Sequence, residues 1–185
     1  MLRACITSIF FASSVFASSV LAEECPRGPD ISAPLTALIE QASAAKDVRE
    51  GQRLSDKMWE LWTQAPDAYA QELLDEGMGR RGVYDFDGAY KAFDALVAYC
   101  PNYAEGYNQR AFISYLRQDF AAAEVDLLKT LSLSPDHVAA QSGLALTYIG
   151  LNRMAEAYDA LKIALAKNPW IPERGLLSSL KGSSI

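Results

Sequence analysis

Residues 104–135 read AEGYNQRAFISYLRQDFAAAEVDLLKTLSLSP, and they hold two helical patterns in succession. The first runs from Glu105 to Arg117 and puts Tyr107, Ala111 and Ser114 on one face. The second runs from Phe120 to Leu133 and puts Ala123, Leu127 and Leu131 on one face. Both follow the 3-and-4 spacing of an amphipathic helix. Asp119 stands between them, where its carboxylate can accept from free backbone amides. Pro135 closes the unit, because proline cannot continue a helix interior. One hairpin cannot bury both apolar faces alone, so the reading requires copies.

The copies lie at a fixed spacing. Pro101, Pro135 and Pro169 are 34 residues apart, as are Ala89, Ala123 and Ala157. So are Phe93, Leu127 and Leu161, and Leu96, Thr130 and Ala164. Gly77, Ala111 and Ala145 form a column of small residues in the first helices. Such residues let two helices approach closely. Asp85-Phe86, Asp119-Phe120 and Arg153-Met154 open the second helices.

This 34-residue period, with its small-residue columns and closing proline, resembles the tetratricopeptide repeat (TPR) family. The resemblance covers residues 70–171 as three repeats, 70–103, 104–137 and 138–171. It implies an all-α fold, a right-handed α-solenoid of antiparallel helix hairpins. The family's late aromatic in the first helix is kept as Tyr148 and replaced by Arg80 and Ser114 in the other copies. In such a stack the first helices line the concave side. The resemblance therefore implies a partner-binding face of Gln71, Leu74, Met78, Arg81, Glu105, Asn108, Phe112, Tyr115, Ser142, Leu146 and Ile149. Some family members grip a terminal carboxylate with polar residues there. Leu74 and Met78 occupy those places in this chain and speak against that mode, while Asn108 remains a candidate backbone clamp. A groove of this composition either receives a partner segment or is filled by the chain's own N-terminal segment.

Outward from the repeats, residues 1–22 carry one Arg and a Ser-broken apolar run ending in Val20-Leu21-Ala22. This is the pattern of a secretory signal peptide cut after Ala22. Residues 23–31 are Pro- and Gly-rich and read as extended. Residues 32–69 read as a degenerate N-terminal helical hairpin. Asp47 and Glu50 cap its second helix, and Leu54, Met58, Leu61 and Trp62 form that helix's apolar face, flanked by Trp59. Its closing Pro66 lies 35 residues before Pro101, one out of phase with the repeats. Residues 172–185 read as a capping helix and tail, with Leu176, Leu177 and Leu180 covering the last repeat.

The search for catalytic chemistry yields no candidates: no catalytic, metal or cofactor residues are assigned, and the chain is read as a non-enzyme. The single histidine, His137, sits in an inter-repeat turn and reads as a surface residue, since metals require several ligands. Asp85 and Asp87 read as a cap and a first-turn acid. The net charge of −6 argues against nucleic acid and anionic membranes as partners. No segment beyond the leader is long and apolar enough to span a bilayer. Without Cys5, two cysteines remain, and an even count in an oxidising compartment predicts a Cys25–Cys100 disulfide. The expected role is a periplasmic or secreted adaptor that binds a peptide or protein on its concave face. The alternative is a structural or accessory subunit of an envelope complex, in cell-wall or cytochrome maturation, that uses other faces.

Overall fold

Four of the helices begin where an aspartate supplies an acceptor for their free amides. The carboxylates of Asp47, Asp67, Asp85 and Asp119 accept from the backbone N–H three residues on, and each opens a helix. The computed structural model describes residues 24–183. Among them are nine α-helices: α1 (Ser32–Ser43), α2 (Val48–Trp62), α3 (Ala68–Gly82), α4 (Phe86–Tyr99), α5 (Ala104–Leu116), α6 (Phe120–Leu133), α7 (Val138–Gly150), α8 (Met154–Lys167) and α9 (Leu177–Ser183). A 3-10 turn over Pro172–Leu176 leads into α9. Residues 1–23, with the expected leader, its cleavage point and Cys5, lie outside the described residues, as do the last two.

The small-residue columns mark the places where helices meet. Gly77, Ala111 and Ala145 on the first helices, and Ala89, Ala123 and Ala157 on the second, are sealed from solvent. A Cβ on Gly77 would come within 2.3 Å of the Phe93 ring, so a side chain there would force α3 and α4 apart. The turns within the hairpins share one geometry. Tyr84, Gln118 and Asn152 all adopt left-handed φ, between 59 and 63°. In each case the following residue's N–H reaches back to the carbonyl five positions earlier, at Arg80, Ser114 and Tyr148. This satisfies helix-end carbonyls in the manner of a Schellman closure. The 34-residue period therefore extends to backbone conformation that the side chains do not announce.

The hairpins α3–α4, α5–α6 and α7–α8 stack in chain order, with α3, α5 and α7 adjacent on the inner side. Arg110 ties three helices together: it forks onto Asp126 of α6 at 2.7 and 2.8 Å and reaches Asp94 of α4 at 2.6 Å.

The α1–α2 hairpin is placed differently from a repeat at the head of that stack. Leu35, Ala42, Leu54, Met58 and Trp62 share one core with Val138, Ala145, Leu161 and Leu180, so the hairpin packs on the last repeat and its cap. The stripe Leu54, Met58, Trp62 explains why α2 seeks burial, since its three large side chains recur every four residues. The docking is specific. A Cβ on Gly51 would meet Trp170 at 2.3 Å. The Trp170 indole N–H donates to the Ala45 carbonyl, and the Asn168 amide donates to Ser55 Oγ at 2.8 Å. Leu180 is buried and Leu177 packs beside it, while Leu176 stays exposed. The Cys25 and Cys100 Cα atoms lie 5.1 Å apart, within the span a disulfide requires.

Candidate functional site

His137 is the main correction to the sequence reading. It is fully buried, not a surface turn residue. It precedes α7, and its Nδ1 accepts the Ala140 N–H, which leaves the proton on Nε2. Nε2–H then donates to Glu105 Oε2 at 2.8 Å. The indole of Trp62 closes over the imidazole, with ring centroids 4.0 Å apart. The sequence could not show this, because the covering ring comes from α2.

Glu105 also departs from its expected place on the groove surface. It is 1% exposed. Its carboxylate is held by His137, by the Asn108 amide at 3.1 Å and by the Gln109 amide. Gln109 in turn accepts from Arg81. A buried carboxylate needs this many donors to offset its lost hydration. The chain of contacts runs from α3 through α5 to the cap of α7, with Trp62 of α2 on top. The Tyr103 hydroxyl, half-buried, donates to the Trp62 carbonyl at 2.8 Å. Burial lowers the Arg81 guanidinium's pKa from its ordinary value, and the Glu105 charge pulls it back up.

Leu74 is a second correction. It is sealed in the core between α3 and α4 with Leu73, Phe93 and Ile113, and offers nothing to a partner. Met78 packs against that same core and Ile149 against the core under α1–α2. Gln71 is engaged locally, accepting the Ala65 N–H and donating to Asp75.

The remaining six residues do come together. Arg81, Asn108, Phe112, Tyr115, Ser142 and Leu146 line one cavity of about 420 Å³. Its opposite wall is α2, which contributes Trp59, Met58 and Trp62. The chain's own N-terminal hairpin covers one side of the groove and leaves a cavity beneath it. Trp59 and Phe112 remain 45% and 44% exposed, and the Arg81 guanidinium sits 5.2 Å from the Phe112 ring centroid. The α2 residues, Thr147 and, after the last repeat, Pro172 and Glu173 are among the lining groups that the repeat pattern alone could not assign to this site.

No protein-family model matches the chain. A stretch of 71 residues is 39% identical to a tetratricopeptide repeat protein 36 homolog of Nematostella vectensis, covering 38% of this chain and 39% of that protein. A BBSome complex member BBS4 homolog of Drosophila melanogaster is 27% identical over 128 residues, 69% of this chain and 26% of that protein. The chain thus matches about two fifths and about a quarter of the lengths of these relatives. Among solved structures, the first TPR of Spaghetti (RPAP3), bound to an HSP90 peptide, superposes with a TM-score of 0.60 at 20% identity. That match covers 62% of this chain and 91% of the other. The fold is that of the TPR solenoids. At such identity the likeness speaks to the fold alone, and the cavity roofed by α2 is described from this chain's own residues.

Proposed function

We propose that this TPR protein is a non-catalytic interaction module that seats a segment of a partner polypeptide in the cavity between α2 and the inner helices α5 and α7. The observation that carries the reading is the pair Trp59 and Phe112, two large aromatic rings left half-exposed on opposite walls of one cavity. Aromatic rings facing a concave pocket supply large contact area at low entropic cost. TPR domains of similar fold have been seen with bound peptides, as in the Spaghetti domain with its HSP90 peptide. The setting proposed is an exported one, bacterial periplasm in the first instance. It is supported by the leader-like residues 1–22 and by the closely placed Cys25 and Cys100. No helix of the described residues is long and apolar enough to cross a membrane.

A second reading, a structural or accessory subunit of an envelope complex, draws on Val125 and Leu128, which α6 exposes away from the cavity. Crosslinking the exported chain in an envelope fraction, with and without Phe112→Glu, separates the two. Loss of the crosslinked partner with helix content intact supports the cavity. Unchanged capture assigns the contact to the α6 face.

A further inference from the structure

Among the described residues, three buried side-chain polar atoms find no hydrogen-bond partner: Trp62 Nε1, Ser142 Oγ and Thr147 Oγ1. All three belong to residues lining the same cavity. Each of these side chains is at least nine-tenths buried. Orphaned polar groups are costly and rare in a folded interior, so three around one cavity need a reason. The hydroxyls are informative because helical Ser and Thr have an easy local solution, the carbonyl four residues back. Thr36, Ser55, Thr63, Ser114 and Thr130 all take it in this chain. Ser142 and Thr147 do not. Arg81 points the same way: among the described residues its one hydrogen bond is to Gln109 and no carboxylate lies within ion-pair distance.

We infer that these groups form a hydrogen-bonding floor for the backbone carbonyls of an internal peptide segment, whose bulky apolar side chain is held between Trp59, Phe112 and Leu146. The inference rests on the proposed seating of a partner segment and specifies its chemistry. An indole N–H and a guanidinium only donate, and a hydroxyl can donate, so the complement is an acceptor. The charge around the cavity selects a neutral acceptor over an anion. Asp56 and Glu173 line it together with Arg81, two carboxylates against one cation. A free terminal carboxylate is therefore disfavoured, and an amide carbonyl suits the site. Trp59 and Trp62 of this recognition surface come from α2, outside the repeats, so the N-terminal hairpin is a specificity element as well as a packing one.

The test uses the full ¹⁵N-labelled chain and two probes at millimolar concentration, N-acetyl-phenylalanine amide and N-acetyl-phenylalanine with its free carboxylate. The chain has three Trp, so the Trp62 indole N–H is assigned by Trp62→Phe. The amide probe is expected to shift that indole proton downfield together with the Phe112 and Leu146 amides, and the free acid to bind several-fold more weakly. The double variant Ser142→Ala/Thr147→Val should melt no lower than the parent, because it removes unsatisfied groups, yet bind the amide probe about tenfold more weakly. A merely structural role would give the opposite pair of results. Response at Phe112 and Leu146 with a silent Trp62 indole overturns the floor and leaves the cavity reading standing. Tighter binding of the free acid overturns the choice of a neutral acceptor. The same shifts appearing with protein concentration alone would assign the cavity to a second copy. No response anywhere in the cavity overturns the floor and the seating together.

Discussion

The Trp62 indole lies flat on the His137 imidazole, with ring centroids 4.0 Å apart and planes 12° from parallel. One ring comes from the N-terminal hairpin and the other caps α7, so this stack joins the hairpin to the repeats. Trp62→Ala should cost about 3–5 kcal/mol of unfolding free energy in chemical denaturation. His137→Ala should cost a comparable amount, because it strips a donor from the buried Glu105 carboxylate. The two changes should not add: a double-mutant cycle is expected to return about 1 kcal/mol of coupling. Strict additivity would show that the stack contributes nothing of its own.

Cys25 and Cys100 are 75 residues apart in sequence. A bridge closing a loop of that size should contribute about 4 kcal/mol, and Cys100→Ser or reduction should remove it. Thiol titration of the unfolded, unreduced chain checks the bond directly. Two titratable thiols beyond Cys5 would exclude it.

Enlarging the small-residue columns should overpack the hairpins. Ala111→Leu and Ala123→Leu are each expected to cost about 1–3 kcal/mol. At Gly77 the obstacle is the Phe93 ring. Gly77→Ala should therefore be partly rescued by Phe93→Leu, and a melt in which the second change only adds damage would argue against that contact.

Tyr84 carries a large side chain at φ 63° and is exposed. A non-glycine residue in that region pays a steric penalty that Asn bears more easily, and Asn152 already holds the equivalent place in the third hairpin. Tyr84→Asn should raise stability by up to about 1 kcal/mol. A fall in melting temperature would mean that the Tyr84–Phe86 edge contact outweighs the strain.

Acid should weaken the fold through its caps. Asp67 is held below the ordinary carboxylate range by the Ala70 amide and then the Tyr99 hydroxyl. Asp85 is held down by the Gly88 amide and then Arg80. A depressed folded value means that the contribution is present above the ordinary pKa and lost as the pH falls through the folded one. Denaturation followed from about pH 6 to about pH 3 should show that loss, and Asp67→Asn should flatten the curve. An unchanged slope in that variant would remove Asp67 from the account.

The repeats were legible in the sequence because a helix hairpin is a local object. Its caps, its small columns and its closing proline lie within a few tens of residues, and Asp85, Asp119 and Gly77 carry their roles openly. His137, Glu105 and Leu74 were misplaced because their environment is assembled from distant segments. Nothing near His137 foretells a tryptophan from α2. The out-of-phase Pro66 was the one outward sign that the first hairpin sits apart from the stack. Six of the proposed groove residues meet in the cavity since they share the inner face of consecutive hairpins. Its second wall depended on where α2 docked, which periodicity does not encode.

The docking of α1–α2 on the last repeat also sets a constraint in time. An open solenoid can fold outward from any repeat, since each unit needs only its neighbours. Here Trp170 bonds to Ala45 across 125 residues, and Asn168 to Ser55 across 113. During synthesis the Leu54–Met58–Trp62 stripe leaves the ribosome well before the surface that will cover it exists. The first hairpin made is therefore the last to find its place, and until α8 and α9 are complete its apolar face is open to whatever else will hold it.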